Sequence, residues 1–380
     1  MSLKKPRIVL AGQIPPPLGG QNIMIEKAVV QFAASDKCES VHLPFFFTPD
    51  FKGARKASVG KLVELIRVII RLWQIRFRGP IDLLLFPTGG PQTTPMLRDL
   101  LLLPWALLLS RRVVLHFHAA GIADELGKGK WVARCLARMY GQAFAALVNS
   151  DFNRRDPEAV LIKNVRVVPC RVEDTFDPSL VDRGGPGKFR ILSVGHICLD
   201  KGTPQLLDAF AEILPRHPNL ELELVGECLA PFTDQDLQRR IDRLGIRSSV
   251  RVSGILRGRA KAAAFGRASL FVFPTVAPYE SFGLVLAEAM EWGLPIVASN
   301  WRGNSDVLTP QAGAICFPVS ANLASDIATA LEQAIARRAE WPDWGKANRH
   351  IFEQRYREDG TPWLVEPVLS MVRIPGAAST

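Results

Sequence analysis

The chain has 380 residues, 48% apolar and 22% charged, which excludes a disordered polymer and leaves room for two domains with full cores. A net charge of +10 points to anionic partners, a class that takes in nucleic acid, acidic lipid and phosphorylated small molecules alike. Cys38, Cys135, Cys170, Cys198, Cys228 and Cys316 show no C-x-x-C spacing and no nearby histidine pair, so buried free thiols of a reducing compartment are expected and a zinc site is not.

Arg7 to Gly12 reads as a first β-strand, and Pro15-Pro16-Pro17 cuts its apolar run too short for a signal-peptide core. Alternating short apolar and longer amphipathic runs then predict strands at 39–43, 81–86, 113–118, 145–149 and 165–168. Helices are predicted at about 20–33, 59–77, 94–109, 130–143 and 154–162, giving βα units around a parallel sheet. The run from Leu100 to Leu109 contains Pro104 and is half the ~20 residues of a membrane span, so a buried helix is expected there. In the helix from Val59, Arg55, Lys56, Lys61, Arg67, Arg71, Arg76 and Arg78 flank or interrupt an apolar series from Leu62 to Trp73. Such a helix packs its stripe on a sheet or lies on an acidic lipid surface, and the two readings are compatible.

Asp177-Pro178 and Asp182 to Gly187 hold several breakers and no apolar period, which makes 176–187 a linker. The domains expected are 1–175 and 188–355, with 356–380 a tail crossing back to the first. The second domain repeats the pattern, with strands at 190–194, 220–225, 250–253, 270–273, 295–298 and 314–317 and one long helical stretch from Ala321 to about Ser370. Two such halves leave a cleft between their sheet ends, where open α/β sheets bind ligands.

Glu280 and Glu288 flank a strand-to-helix junction, and eight steps of ~1.5 Å between them span ~12 Å, about the reach of a sugar, a diphosphate and a ribose. The amides of Ser281, Phe282, Gly283 and Leu284 are expected between the acids, unpaired at the positive end of the helix, with Gly283 admitting a ligand close to the backbone. Solvated capping acids are the alternative reading. At the start of the second domain a strand ends in Gly195, and Lys201 follows near the next helix as a point charge for phosphate. Gly19-Gly20 opens the first helix with no G-x-G-x-x-G, against a dinucleotide cofactor. His118 ends a strand; His116, on the same side, is expected as a satisfied core residue, and no third ligand completes a metal site.

Phe273-Pro274, Glu280-Ser281-Phe282-Gly283-Leu284 and Glu288-Ala289, with Gly195 and Lys201-Gly202, resemble the retaining glycosyltransferases of family 4. The resemblance implies an α/β GT-B fold, two Rossmann-like domains facing each other across a cleft. It also implies transfer of a sugar from a nucleotide-diphospho-sugar (UDP, GDP or dTDP) to an acceptor hydroxyl, with retention and with neither metal nor further cofactor. Lys201 and His196 are implied to grip the diphosphate, His196 standing where the family has arginine. The Gly20 loop is implied to face donor phosphate and acceptor, the loops at Gly226 and Ile255 to read the nucleobase, Glu280 and His118 to hold the sugar, and Glu288 to bind the ribose. Arg302 to Asp306 resembles the family's Gly-Gly-x-x-Glu turn and is read as structural. The acceptor expected is a glycan or lipid-linked hydroxyl in glycan, polysaccharide or glycolipid assembly, and a cytoplasmic protein is expected, with the basic helix from Val59 as the feature that would bring it into peripheral contact with anionic lipid at the inner face of the cell membrane.

A histidine at 196 has a reference pKa of ~6.5, which predicts donor binding that weakens as pH rises through that range. Other readings are a nucleotide-sugar epimerase on the same fold or a non-catalytic basic binding protein. Nucleic acid is disfavoured, because no zinc-finger or RNP signature accompanies the charge.

Overall fold

The computed structural model describes residues 5–17, 19–47, 59–183 and 189–372. Arg55, Lys56 and 184–187 of the expected linker lie outside them. The chain divides into two compact units, one made of the residues up to Cys170 and from Gly360 onward, the other of Arg171–Asp359.

The first unit runs β1 (Arg7–Gly12), α1 (Gly20–Ala34), β2 (Glu39–Pro44), α2 (Val59–Phe77), β3 (Leu83–Pro87), α3 (Thr93–Leu109), β4 (Val113–Phe117), α4 (Ile122–Gly127), α5 (Trp131–Tyr140), β5 (Ala145–Val148), α6 (Arg155–Ala159) and β6 (Val165–Val167). The strands form one parallel sheet in the order β2-β1-β3-β4-β5-β6. Leu-Leu-Leu-Phe in β3 and Ala-Ala-Leu-Val in β5 are apolar at every position because both faces of a parallel sheet are covered. Alternation sends Val9, Leu84, Phe86 and Leu115 toward α2, α3 and α5, and Ile8, Leu10, Leu83, Leu85 and Val114 toward α1 and the last helix of the chain.

The second unit runs β7 (Phe189–Val194), α7 (Thr203–Ile213), β8 (Leu220–Val225), α8 (Asp234–Arg243), β9 (Val250–Gly254), α9 (Gly258–Gly266), β10 (Leu270–Phe273), α10 (Leu284–Glu291), β11 (Ile296–Ser299), α11 (Asn304–Val307), β12 (Ala314–Phe317), α12 (Leu323–Ala336) and α13 (Trp341–Ile351). Its parallel sheet has the order β12-β11-β10-β7-β8-β9. The order reverses between β7 and β10, so the loops after these two strands diverge from a common edge, the position where such sheets take ligands.

Three expectations are corrected. The single helical stretch from 321 is broken into α12, α13 and, beyond Gly360 and Pro362, α14 (Val365–Val372), which returns to the first unit. Cys135 and Cys316 are exposed, while Cys38, Cys170, Cys198 and Cys228 are buried as free thiols. α3 is buried on one side only: Leu102, Leu103 and Ala106 face the core and Leu101 and Leu108 face outward.

Candidate functional site

The site grows from the β7–β10 edge. Gly195 follows β7, and a Cβ on Gly226, just after β8, would run into the Gly195 carbonyl, so the two glycines let the strand ends lie against each other. The Gly195 amide donates to Val225 O at 2.9 Å and the Gly226 amide to Gly254 O at 2.8 Å, which links the ends of β7, β8 and β9 through backbone alone. Ile255, the next residue, is exposed. After Gly195 the chain turns through His196 to Lys201 and Gly202, the N-cap of α7 at φ 68°. A side chain on Gly202 would collide with Pro274 O, so this turn is fitted to the loop after β10. The Val276 amide donates to Asp200 O at 2.9 Å and joins the two loops.

Glu280 sits at that junction, almost fully buried. Its Oε2 accepts from Lys201 Nζ at 2.5 Å and from Thr275 Oγ1 at 3.1 Å, and the ammonium lies 5.1 Å from the centre of the Phe273 ring. The two residues that motif reasoning assigns to a phosphate and a sugar are thus each other's partners in the ligand-free protein. The loop is braced from below, where Ser299 Oγ donates to Thr275 O at 2.6 Å and Trp301 Nε1 to Ala277 O at 2.8 Å. His196 and Lys201 line a small cavity at the end of β7 with Thr203 and Phe273. Burial, and then the Lys201 charge, pushes the His196 imidazole down to about 4. His196 is therefore neutral at neutral pH, and in the free protein the change expected near 6.5 is displaced to lower pH.

α10 begins at Leu284, four residues after Glu280 and later than the sequence reading put it. Gly283 is its N-cap at φ 69°, with no side chain capping the turn and no acid in it. The first-turn amides without a partner inside the helix are those of Gly283, Leu284 and Val285, since Leu286 N already donates to Gly283 O at 2.8 Å, while Ser281 and Phe282 belong to the loop. The Phe282 ring points away, edge-on to Tyr356 at 5.6 Å, which leaves Phe282 only its backbone for a ligand. Gly283 is also enclosed: an added Cβ would sit 3.2 Å from Asn304 Oδ1, Leu286 Cδ1 and Phe273 Cε1. Asn304 is fully buried; its Nδ2 donates to Ser299 O at 3.2 Å, and its Oδ1 has no hydrogen-bond partner among the described residues.

Glu288 lies just over one turn into α10. Its Oε1 pairs with Lys261 Nζ of α9 at 2.6 Å, and its Oε2 is buried with no hydrogen-bond partner among the described residues. Lys261 belongs to no motif, and only the three-dimensional fold brings it to Glu288. Glu291, one turn further, accepts from Thr175 N and Thr175 Oγ1 at 2.5 and 2.7 Å. Burial is the main cause that raises its carboxyl to about 7.

In the first unit Gly19 is the N-cap of α1 and Gly20 its first residue, at the carboxyl end of β1. His118 follows β4, and its ring lies against that of His116, tilted by 39° with centroids 3.8 Å apart. His116 is the core residue of the pair, its Nε2 3.3 Å from Asn149 Oδ1. Burial holds His116 at about 4, and burial followed by the neighbouring His116 holds His118 well below the usual histidine range. Among the described residues no cluster of three His, Cys, Asp or Glu side chains could hold a metal ion.

Two Rossmann-like units with parallel sheets, and in the second a paired lysine and glutamate beside an uncapped helix start at the strand-order reversal, define the class of GT-B glycosyltransferase folds. Residues 183–350 match the family model of glycosyl transferases group 1. The chain is 32% identical over 207 residues to D-inositol 3-phosphate glycosyltransferase of Arthrobacter sp. (52% of this chain, 46% of that protein). It is 32% identical over 184 residues to glycogen synthase of Mycobacterium tuberculosis (47% of this chain, 43% of that protein). The chain thus spans less than half the length of these relatives. Sucrose-phosphate synthase from Thermosynechococcus elongatus has the same fold, with a TM-score of 0.73 at 18% identity over 97% of this chain and 99% of that one. So does Anabaena HepE in complex with UDP and glucose, with a TM-score of 0.70 at 17% identity over 96% and 99%.

Proposed function

We propose that the protein transfers a sugar from a nucleotide-diphospho-sugar to an acceptor hydroxyl with retention of configuration and without a metal ion. The observation that carries this reading is the Lys201–Glu280 pair, buried beside the uncapped start of α10 at the β7–β10 edge. Departure of the diphosphate needs positive potential, and Lys201 with the α10 amides supplies it in a site of low polarity. Glu280 is freed to take sugar hydroxyls and face the developing positive charge when Lys201 turns to the phosphates. The bond from the anomeric carbon to diphosphate oxygen breaks, the bond to acceptor oxygen forms on the same face, and the acceptor proton passes to the departing phosphate. Glu288 holds the ribose through Oε2, Gly226 and Ile255 border the base, Gly20 lies on the acceptor side, and His118 is a neutral hydrogen-bonding partner of the sugar.

UDP, GDP and dTDP sugars are the donor set, with UDP first because the Anabaena neighbour holds UDP and glucose. The acceptor is a glycan or lipid-linked hydroxyl of polysaccharide assembly, met in the cytoplasm at the inner membrane face. A thermal-shift screen with the three donor classes identifies the base. Glu280→Ala is then expected to stay folded and lose at least about 100-fold in transfer, with wild-type turnover unchanged by EDTA. Wild-type transfer by that variant would refute the role of Glu280, and an isomerised donor with no transferred sugar would make the protein an epimerase.

A further inference from the structure

The turn after β11 runs beside the loop that carries Glu280. Trp301 Nε1 donates to Ala277 O at 2.8 Å, and Asn304 Oδ1 lies 3.2 Å from where a Cβ on Gly283 would stand. Arg302 falls between these two contacts, so it is held alongside the stretch from Ala277 to Gly283 that contains Glu280 and leads into α10. Its guanidinium carbon is 5.5 Å from the centre of the Trp301 ring, the same ring whose N–H reaches Ala277. The backbone there disfavours a side chain: φ is 51°, and among the described residues Arg302 and Leu161 alone adopt a positive φ without being glycine. Glycine would take that φ at no steric cost, so what arginine adds at this position is its permanent charge.

The donor site has a use for that charge. Of the two side chains assigned to the diphosphate, His196 is neutral, since burial and the Lys201 charge push it down to about 4. Lys201 is left to meet a diphosphate while also paired with Glu280. Lys261, near the far end of α10, is bound to Glu288 at 2.6 Å. We infer that Arg302 is the second cation of the donor site, its guanidinium passing from the face of Trp301 to the diphosphate oxygens when a donor binds. The inference deepens the proposed function and rests on its placement of the diphosphate at the start of α10. A guanidinium suits the task, because its planar fork gives two parallel hydrogen bonds to phosphate and its charge does not depend on pH. The indole face meanwhile holds the cation without neutralising it.

The test is calorimetric titration of the full chain with UDP, GDP and dTDP, with uridine, guanosine and thymidine, and with inorganic pyrophosphate. Arg302→Gly is expected to fold at least as stably as wild type, because glycine accepts the left-handed φ. It is expected to bind the preferred nucleoside diphosphate, and pyrophosphate, about tenfold more weakly, with the affinity for the nucleoside unchanged. Adding His196→Arg to Arg302→Gly is expected to recover most of that loss, and to help more there than in wild type, because the two side chains serve one anion. A role confined to stacking on Trp301 would move nucleoside and diphosphate affinities together, and would give His196→Arg the same effect in both backgrounds. Either of those results overturns the inference, and so does wild-type diphosphate affinity in Arg302→Gly. The donor reading fails separately. Pyrophosphate binding that depends on Arg302, with no nucleoside diphosphate held more tightly than pyrophosphate, keeps the cation and removes the nucleotide sugar. A nucleoside diphosphate bound equally by wild type and Arg302→Gly removes only Arg302, and a wild type that binds neither ligand removes both.

Discussion

The two carboxylate oxygens of Glu288 keep different company: Oε1 holds Lys261, and Oε2 is buried without a hydrogen-bond partner among the described residues. Lys261 therefore fixes the orientation of Oε2, which on the proposed reading meets a ribose hydroxyl. Lys261→Gln keeps the stem and removes the charge, so the donor KM is expected to rise about tenfold with kcat within about twofold. Steady-state kinetics with the donor found by the screen check this, and an unchanged KM would show the pair to be structural. His196 supports a second prediction at this scale. With its free-state pKa near 4, a donor diphosphate that raises it couples binding to protonation only between about 4 and the bound value. Donor affinity is thus expected to strengthen on acidification below pH ~6 and to be flat from ~6.5 to ~8, while His196→Arg is expected to bind more tightly over that whole range. Calorimetric titration with the nucleotide sugar reads both, and a steep loss of affinity between pH 6.5 and 8 would contradict the assignment. Lys201 and Glu280 were legible in the sequence because each lies within a few residues of its strand end. Lys261 was not, since it stands 27 residues from Glu288 on another helix and only the fold makes them neighbours.

Along an element, a sequence discloses period more clearly than ends. α10 was expected to start next to Glu280, because Ser281 and Phe282 suit a first turn; the observed start is set instead by the left-handed Gly283 and by the Phe282 ring, which leaves the helix line to reach Tyr356. α3 was expected to be buried because it is apolar almost throughout, and apolarity alone does not say which side has a neighbour. The stretch after 321 kept its helical period through Pro342, which sits in the first turn of α13 and begins a new helix there. For α10 the consequence is measurable. Gly283→Ala places a methyl group 3.2 Å from three atoms at a positive φ, and is expected to cost about 2 kcal/mol of stability and to disturb the amides proposed to hold the phosphates. Urea unfolding and donor titration of that variant should move together; a stable variant with unaltered affinity would mean that the helix start has room to relax.

At the scale of the molecule, the alternation of strand and helix made both parallel sheets readable in advance, because apolar runs at every position are what a sheet covered on two faces demands. What alternation does not reveal is which piece of chain covers a face. Leu364, Val365, Val368, Leu369 and Met371 close the side of the first sheet formed by Ile8, Leu83, Val114 and Leu147, nearly two hundred residues after the last strand of that sheet. A hydrogen bond of 3.1 Å from Leu364 N to Gln31 Oε1 ties the segment to α1, and Lys37–Glu366 at 3.1 Å ties it to the turn that follows α1. Five such side chains at about 1.5–3 kcal/mol each represent of order 10 kcal/mol of burial, an upper bound comparable with the whole stability of a domain. A chain ending at Asp359 is therefore expected to lose the cooperative unfolding of the first unit while the second, whose core and donor residues lie within Arg171–Asp359, keeps its own transition and its nucleotide-induced rise. Scanning calorimetry with and without nucleotide separates the two transitions. If the shortened chain retained both, the five apolar residues of the returning segment would be coverings that the first sheet can do without; if it lost both, the second unit would depend on the first for more than its chain connections.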